Sequence, residues 1–257
     1  MDLFSLNNST ALVTGGTRGI GQQMAIALAE AGSDIILIQR PHEPHHQKRN
    51  RIPLPQSNNL HGGPLLARLR DHPIPRILAD GHDINILINC AGIQRRHPSH
   101  LFPDADWDAV LQTNLTTVFT LCRDVGRYML TRPPDPHGQR GAIINVASLV
   151  SFQGGLTVPA YAAAKGGVAQ LTKALSNEWA ARGVRVNAVA PGYVATEMNA
   201  ALLNDAERAR SILDRIPAGR WASPEDFKGV TVFLAAGRAS GYVSGSVVVV
   251  DGGWMGR

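Results

Sequence analysis

The sequence predicts an α/β fold: one doubly wound parallel sheet with helices on both faces. Three observations carry that expectation. Short, unbroken apolar runs recur along the 257-residue chain. Longer stretches of helical spacing separate them, and a glycine-rich turn follows the first run. Strands alternating with helices imply right-handed βαβ crossovers, and strands buried on both faces read as continuous apolar runs.

The strand candidates are Ala11–Thr14, Ile35–Ile38, Ile84–Asn89, Ala142–Ala147, Val184–Val189 and Val247–Val250. Between them lie helical patterns at 19–31, 105–131, 158–182 and 224–236. The last opens with Ser223-Pro224-Glu225-Asp226. Serine caps well, proline suits the first helical position, and the acids complement the helix dipole. No internal repeat or interdomain linker is visible, so residues 1–257 read as a single domain.

Residues 41–75 break the rhythm. They hold seven of the 16 prolines and five of the nine histidines, no valine, and one alanine, Ala67. No apolar run there can serve as a strand, and Pro53, Pro55, Pro64, Pro73 and Pro75 interrupt any helix. The distance from Ile38 to Ile84 suits a helix, a strand and another helix, yet the composition does not. The sharp shift to Pro, His and Arg looks like a stretch translated in the wrong frame. The expectation is no regular third strand, poor packing within 41–75, and weak adenine binding.

Composition excludes several classes. With 44% apolar and 18% charged residues, and 26 glycines, the chain is neither disordered nor a coiled coil. No apolar run approaches the ~18 residues of a membrane span. The start Met1-Asp2-Leu3-Phe4-Ser5 lacks a basic segment followed by an apolar one, so a cytoplasmic location is expected. Cys90 and Cys122 match no metal or redox spacing; no metal is expected, and the pair fits a reducing compartment. Of the net charge of +5, residues 41–75 supply +3 through Lys48, Arg49, Arg51, Arg68 and Arg70 against Glu43 and Asp71. That distribution reads as solvated surface charge, with no nucleic-acid or membrane partner.

Chemistry enters at Thr14-Gly15-Gly16-Thr17-Arg18-Gly19-Ile20-Gly21, a strand end, a glycine-rich turn and a helix start. Gly15, Gly19 and Gly21 let the backbone turn tightly and approach a pyrophosphate, which the helix N-terminus then holds. Tyr161 and Lys165 are four residues apart in a helical pattern, on one face. A free tyrosine titrates near ~10, too high for a base at neutral pH, and a nearby ammonium lowers that value. Ser148 ends the fourth apolar run at the carboxyl edge, where open α/β sheets bind ligands. Asn89-Cys90-Ala91-Gly92 ends another strand at the same edge. Cys90 reads as a small core residue. Asn114, among Leu111, Leu115, Val118 and Phe119, is either a site residue or a satisfied core amide.

Together these residues resemble the short-chain dehydrogenase/reductase family over nearly the whole chain. The glycine motif, Asn89-Cys90-Ala91-Gly92, Asn114, Ser148, Tyr161 with Lys165, and Pro191-Gly192 stand in that family's order and spacing. The resemblance implies a single Rossmann-like domain and hydride transfer between NAD or NADP and a carbonyl/alcohol pair. It implies four catalytic residues. Tyr161 is the general acid/base, and Ser148 is the hydrogen-bond donor to the substrate oxygen. Lys165 lies at the nicotinamide ribose, and Asn114 holds a water in a proton relay. Cofactor contacts are expected from Gly15, Thr17, Arg18, Gly19, Ile20, Gly21, Arg40, Asn89, Ala91, Gly92, Tyr161, Lys165, Pro191, Gly192, Val194 and Thr196.

A narrower resemblance rests on Ser151-Phe152-Gln153-Gly154-Gly155, Asn177-Glu178-Trp179-Ala180, Arg215-Ile216-Pro217-Ala218-Gly219-Arg220-Trp221, Gly92-Ile93-Gln94-Arg95-Arg96 and Asp251-Gly252-Gly253-Trp254. These are similar to the 2-deoxy-D-gluconate 3-dehydrogenases, a group overlapping the 2-dehydro-3-deoxy-D-gluconate 5-dehydrogenases. The implied substrate is a sugar acid or its keto form, contacted by Ser148, Gln153, Tyr161, Arg95 and Arg96. An arginine beside the nicotinamide end suits a carboxylate, although either one also reads as a solvated loop charge. The alternatives are a short-chain reductase of 3-oxoacyl thioesters or ketones, and a non-catalytic binding or assembly protein on the same fold.

The second strand ends Ile38-Gln39-Arg40 with no acid to take a ribose 2′-hydroxyl. Arg18 and Arg40 near one corner suit a 2′-phosphate, a slight lean to NADP over NAD. A homotetramer is expected from the family. Apolar residues on more than one face of 105–131 (Val118, Phe119, Leu121) and 158–182 (Val168, Leu171, Leu175) point the same way.

Overall fold

In the computed structural model, residues 2–38 and 73–256 are described. The strands are β1 (Thr10–Thr14), β2 (Asp34–Ile38), β3 (Ile86–Asn89), β4 (Gly141–Val146), β5 (Val184–Pro191) and β6 (Val247–Val250). Every pairing is parallel and the order is β2-β1-β3-β4-β5-β6. The helices are α1 (Gly19–Glu30), α2 (Pro73–Ala79), α3 (Asp104–Leu111), α4 (Thr117–Thr131), α5 (Pro159–Trp179), α6 (Ala200–Leu203), α7 (Ala206–Leu213), α8 (Lys228–Ala235) and α9 (Gly237–Ser240). The chain turns one way from β1 to β2 and the other way to β3. The crevice at the carboxyl ends of β1 and β3 is therefore the switch point where such sheets bind ligands.

Alternation along each strand fills both layers. Leu12, Leu87, Ile143 and Val186 face one side and pack with Val125 and Met129 of α4 and Val168 of α5. Val13, Ile88, Ile144 and Val189 face the other, against Met24 and Leu28 of α1 and Leu234 of α8. Each such side chain contributes about 1.5–3 kcal/mol by leaving water.

The observed strands match the apolar runs to within two residues at each end. Other expectations change. The stretch 105–131 is not one regular helix: a π turn, Gln112–Thr116, separates α3 from α4. Pro73 and Pro75 do not interrupt a helix. They occupy the first turn of α2, where the backbone N–H is unused in any case, and Ile74 between them is buried. The rest of the atypical stretch 41–75, and with it the expectation of no regular third strand, lies outside the described residues, as does Arg40. The flanking strands β2 and β3 nevertheless pair with β1 as expected.

The second-face apolar residues also read differently. Val118, Leu121, Val168 and Leu175 are buried in this chain's own core, and Leu171 packs against it. Of the six, Phe119 alone stays exposed, at 42%. Among the described residues, no helix is long and apolar enough to cross a membrane. The capped start at Ser223 stands: its backbone N–H donates to the Asp226 carboxylate at 2.8 Å, and Pro224 opens the turn.

Candidate active site

The β1–α1 turn is shaped by what a side chain would strike. Gly15 has φ +69°, and a Cβ there would lie 2.9 Å from the Ala91 backbone. A Cβ on Gly21 would lie 2.3 Å from the Gly15 carbonyl. Gly19 also adopts a positive φ, +55°. Thr14 Oγ1 accepts the N–H groups of Cys90 and Ala91 at 3.1 and 3.2 Å, locking the ends of β1 and β3 together. Arg18 caps α1 with extended backbone and no side-chain bond, so the first-turn N–H groups around Gly19 and Ile20 are not taken by a cap. A tight glycine cradle at an uncapped helix N-terminus fits a pyrophosphate.

Facing this turn is the loop after β5. Thr196 lies beside Gly19, Val194 is buried, and Gly192 packs so close that a Cβ would meet Asp251 at 2.7 Å. The exposed Arg18 guanidinium, on the turn, pairs with Glu197 of that loop. Thr17 is exposed.

Ser148 stands just past β4, and Tyr161 and Lys165 lie one turn apart on α5. Ser151 ties the two elements. Its hydroxyl donates to the Lys165 carbonyl at 2.7 Å and accepts the Ser148 N–H at 3.3 Å. Lys165 is 3% exposed; its ammonium donates to the Val146 carbonyl and sits 5.7 Å from the centre of the Tyr161 ring. Burial pushes the Tyr161 hydroxyl up to about 12, opposed by a hydrogen bond to Ser148 and by the Arg96 guanidinium. This corrects the expectation of a lysine-depressed tyrosine: desolvation outweighs the neighbouring charges in the chain alone. Burial pushes Lys165 down to about 8. Cys90, half-buried, has its thiol pushed up to about 11 by burial, which suits a small packing residue rather than a nucleophile.

Two asparagines turn inward. Asn114, fully buried in the π turn, spends both ends of its amide on Ile93, accepting from its N–H at 2.9 Å and donating to its carbonyl at 2.8 Å. Its side chain thus pins the loop after Gly92. Asn89 donates to Asn145 Oδ1 at 2.9 Å, and Asn145 donates to Thr172 at 3.0 Å. This buried chain clamps β3, β4 and α5.

The two arginines separate. Arg95 is exposed and turned to α3, with Nε 3.2 Å from Asp106 Oδ1; Asp106 also meets His97 at 2.7 Å. In the chain alone Arg95 is therefore an exposed loop arginine paired to α3. Arg96 is half-buried, donates to Gln94 Oε1 at 2.9 Å, and has no carboxylate partner among the described residues. It is near enough to Tyr161, Tyr193 and Arg208 for each to act on its charge. Gln153 Oε1 accepts the Trp254 indole N–H at 3.3 Å. Tyr193, Arg208 and Trp254 received no role from the sequence. Arg208 rides on α7, whose eight residues bury only Ile212 and so carry too weak a periodicity to be read.

The short chain dehydrogenase family profile matches residues 9–207. The chain is 46% identical over 260 residues to a 2-dehydro-3-deoxy-D-gluconate 5-dehydrogenase of Pseudoalteromonas atlantica, covering 100% of both chains. Among solved structures it is similar to an Agrobacterium tumefaciens protein assigned as a 2-deoxy-D-gluconate 3-dehydrogenase with bound NADP. That match has 41% identity and a TM-score of 0.84, with 100% of both chains covered. It is also similar to a Burkholderia cenocepacia gluconate 5-dehydrogenase in complex with NADP and tartrate, at 33% identity and a TM-score of 0.84, covering 100% of this chain and 98% of that one.

Proposed function

The chain belongs to the short-chain dehydrogenase family, and from that premise we propose that it is an NAD(P)-dependent dehydrogenase of keto-deoxy-gluconate type sugar acids. One observation carries the reading. Ser148, Tyr161 and Lys165 converge at the carboxyl edge of the sheet, and beside Tyr161 stands the half-buried Arg96, which has no carboxylate partner among the described residues. When bound, the nicotinamide supplies or accepts the hydride. Tyr161, held as a phenol, donates its proton to the substrate oxygen in reduction and recovers it in oxidation. The Ser148 hydroxyl hydrogen-bonds the same oxygen. Lys165 holds positive charge beneath Tyr161 and toward the cofactor ribose. Arg96 takes the substrate carboxylate, a pairing its guanidinium geometry favours. The glycine cradle, Ala91, Gly92, Pro191, Val194 and Thr196 border the cofactor. A panel of sugar acids, ketones and 3-oxoacyl thioesters, read by nicotinamide absorbance with NAD and with NADP, tests this. Turnover of thioesters in preference to every sugar acid would overturn it.

Within that reading the preferred cofactor is NADP. Arg18 stands on the glycine turn, and its exposed pairing with Glu197 can be exchanged for a 2′-phosphate at small cost. Arg18→Ala lowers kcat/KM for NADP relative to NAD. An NAD preference that persists through Arg18→Ala and Arg40→Ala would refute the assignment.

The active species is a homotetramer. Phe119 on α4 and Trp107 on α3 remain exposed and call for cover by another copy. Light scattering at micromolar concentration gives the mass of four chains; a stable monomer would count against it. Two free thiols suit a cytoplasmic, reducing setting.

A further inference from the structure

We propose that Trp254 is a positioning residue for the substrate: its indole N–H fixes the Gln153 side chain so that the amide NH2 is the group offered to an oxygen of the sugar acid. The inference rests on the sugar-acid reading and deepens it.

An indole nitrogen only donates. The atom of Gln153 facing Trp254 at 3.3 Å is therefore the carbonyl Oε1. The other end of the amide, Nε2, has no partner among the described residues, while the Gln153 backbone N–H is tied to the Leu149 carbonyl at 3.1 Å. Gln153 is half-buried and lies five residues beyond Ser148, on the same loop. The free end of the side chain is thus a donor only, suited to carboxylate, keto or hydroxyl oxygens.

Trp254 is itself held from every side. It is 6% exposed, with the Arg215 guanidinium 3.9 Å above its ring and Tyr193 tilted against it at 4.8 Å. Leu149, Leu202, Ile212 and Ile216 complete its seat. The Asp251 carboxylate accepts the N–H groups of Gly253 and Met255, both at 2.8 Å, and so shapes the turn that presents the indole. The ring also connects to the chemistry: Tyr193 lies near Arg96, and Arg96 near Tyr161. A residue close to the end of the chain therefore reaches the loop that carries Ser148.

The test is Trp254→Phe, which keeps an aromatic ring for Arg215 and Tyr193 and removes the N–H. The expected result is a sugar-acid KM raised about five- to tenfold, the size of one lost hydrogen bond, with kcat and cofactor KM little changed. In a Gln153→Ala background the same substitution then has no further effect on KM. A cycle of this kind separates coupling from independent damage. An unchanged KM in Trp254→Phe, or effects of the two substitutions that simply add, would overturn the inference while leaving the function intact. A wild-type enzyme inactive on all sugar acids would overturn the function reading and this inference with it.

Discussion

Tyr161→Phe leaves a folded protein that has lost turnover by about 10²–10⁴-fold, the contribution of a positioned general acid or base. Phenylalanine preserves the ring that lies 5.7 Å from the Lys165 ammonium and removes only the hydroxyl, which Ser148 engages. The cofactor affinity changes little, because the glycine cradle and the N-terminus of α1 are untouched. The direction of the reaction adds a second expectation. With its hydroxyl pushed up to about 12, Tyr161 in the free enzyme is a phenol across the neutral range, the form that donates in reduction. Oxidation needs the deprotonated form, so kcat/KM in that direction rises with pH while the reductive value does not. Steady-state rates in both directions, with a circular dichroism check on the fold, decide the matter. A Tyr161→Phe enzyme at near wild-type rate would remove Tyr161 from the chemistry.

The sheet was legible because its strands are buried on both faces. Runs such as Leu12-Val13 or Ile143-Ile144 serve the two layers in turn, and the polar residues that interrupt β4 and β5, Asn145, Arg185 and Asn187, are buried and hydrogen-bonded. Tyr161 and Lys165 were legible because a spacing of four on a helix has one geometric meaning. Adjacent residues carry no such constraint. Nothing in Arg95-Arg96 says that Asp106 takes the first and leaves the second beside Tyr161; that follows from how α3 packs. Local pattern also hides helices that lean on distant partners. α6 and α7 are seated by Leu202 and Ile212 against Leu149 and Trp254, contacts no short window contains. The same holds for the Trp254–Gln153 bond, which spans 101 positions. Pro73 and Pro75 open a helix rather than break one because a first turn makes no use of the N–H that proline lacks.

Lys165→Met abolishes productive turnover and at the same time stabilises the cofactor-free fold at neutral pH. Both effects come from one buried ammonium. Lys165 is 3% exposed, and burial moves it from 10.5 down to about 8. Between those two values the unfolded chain holds a proton that the folded chain has released, so stability rises with pH across that window. Below about pH 8 both states are protonated and the full cost of burying the charge is borne. That cost is about 3 kcal/mol from the size of the displacement. Methionine fills similar space without the charge but leaves the Val146 carbonyl without the bond that Lys165 donates, a loss of about 1 kcal/mol. The balance favours the variant at pH 7 by a Tm several degrees higher, at roughly 2–4 °C per kcal/mol for a chain of this size. Its advantage narrows as the pH rises from about 8 to 10.5, where wild-type Lys165 folds as the neutral amine. Cofactor affinity moves the opposite way, because the ammonium faces the ribose in the proposed site. Thermal melts of both proteins from pH 6 to 10.5, paired with a cofactor titration, separate the two effects. A variant less stable than wild type at pH 7 would refute the cost assigned to the buried charge, and one that binds and turns over normally would remove Lys165 from the chemistry.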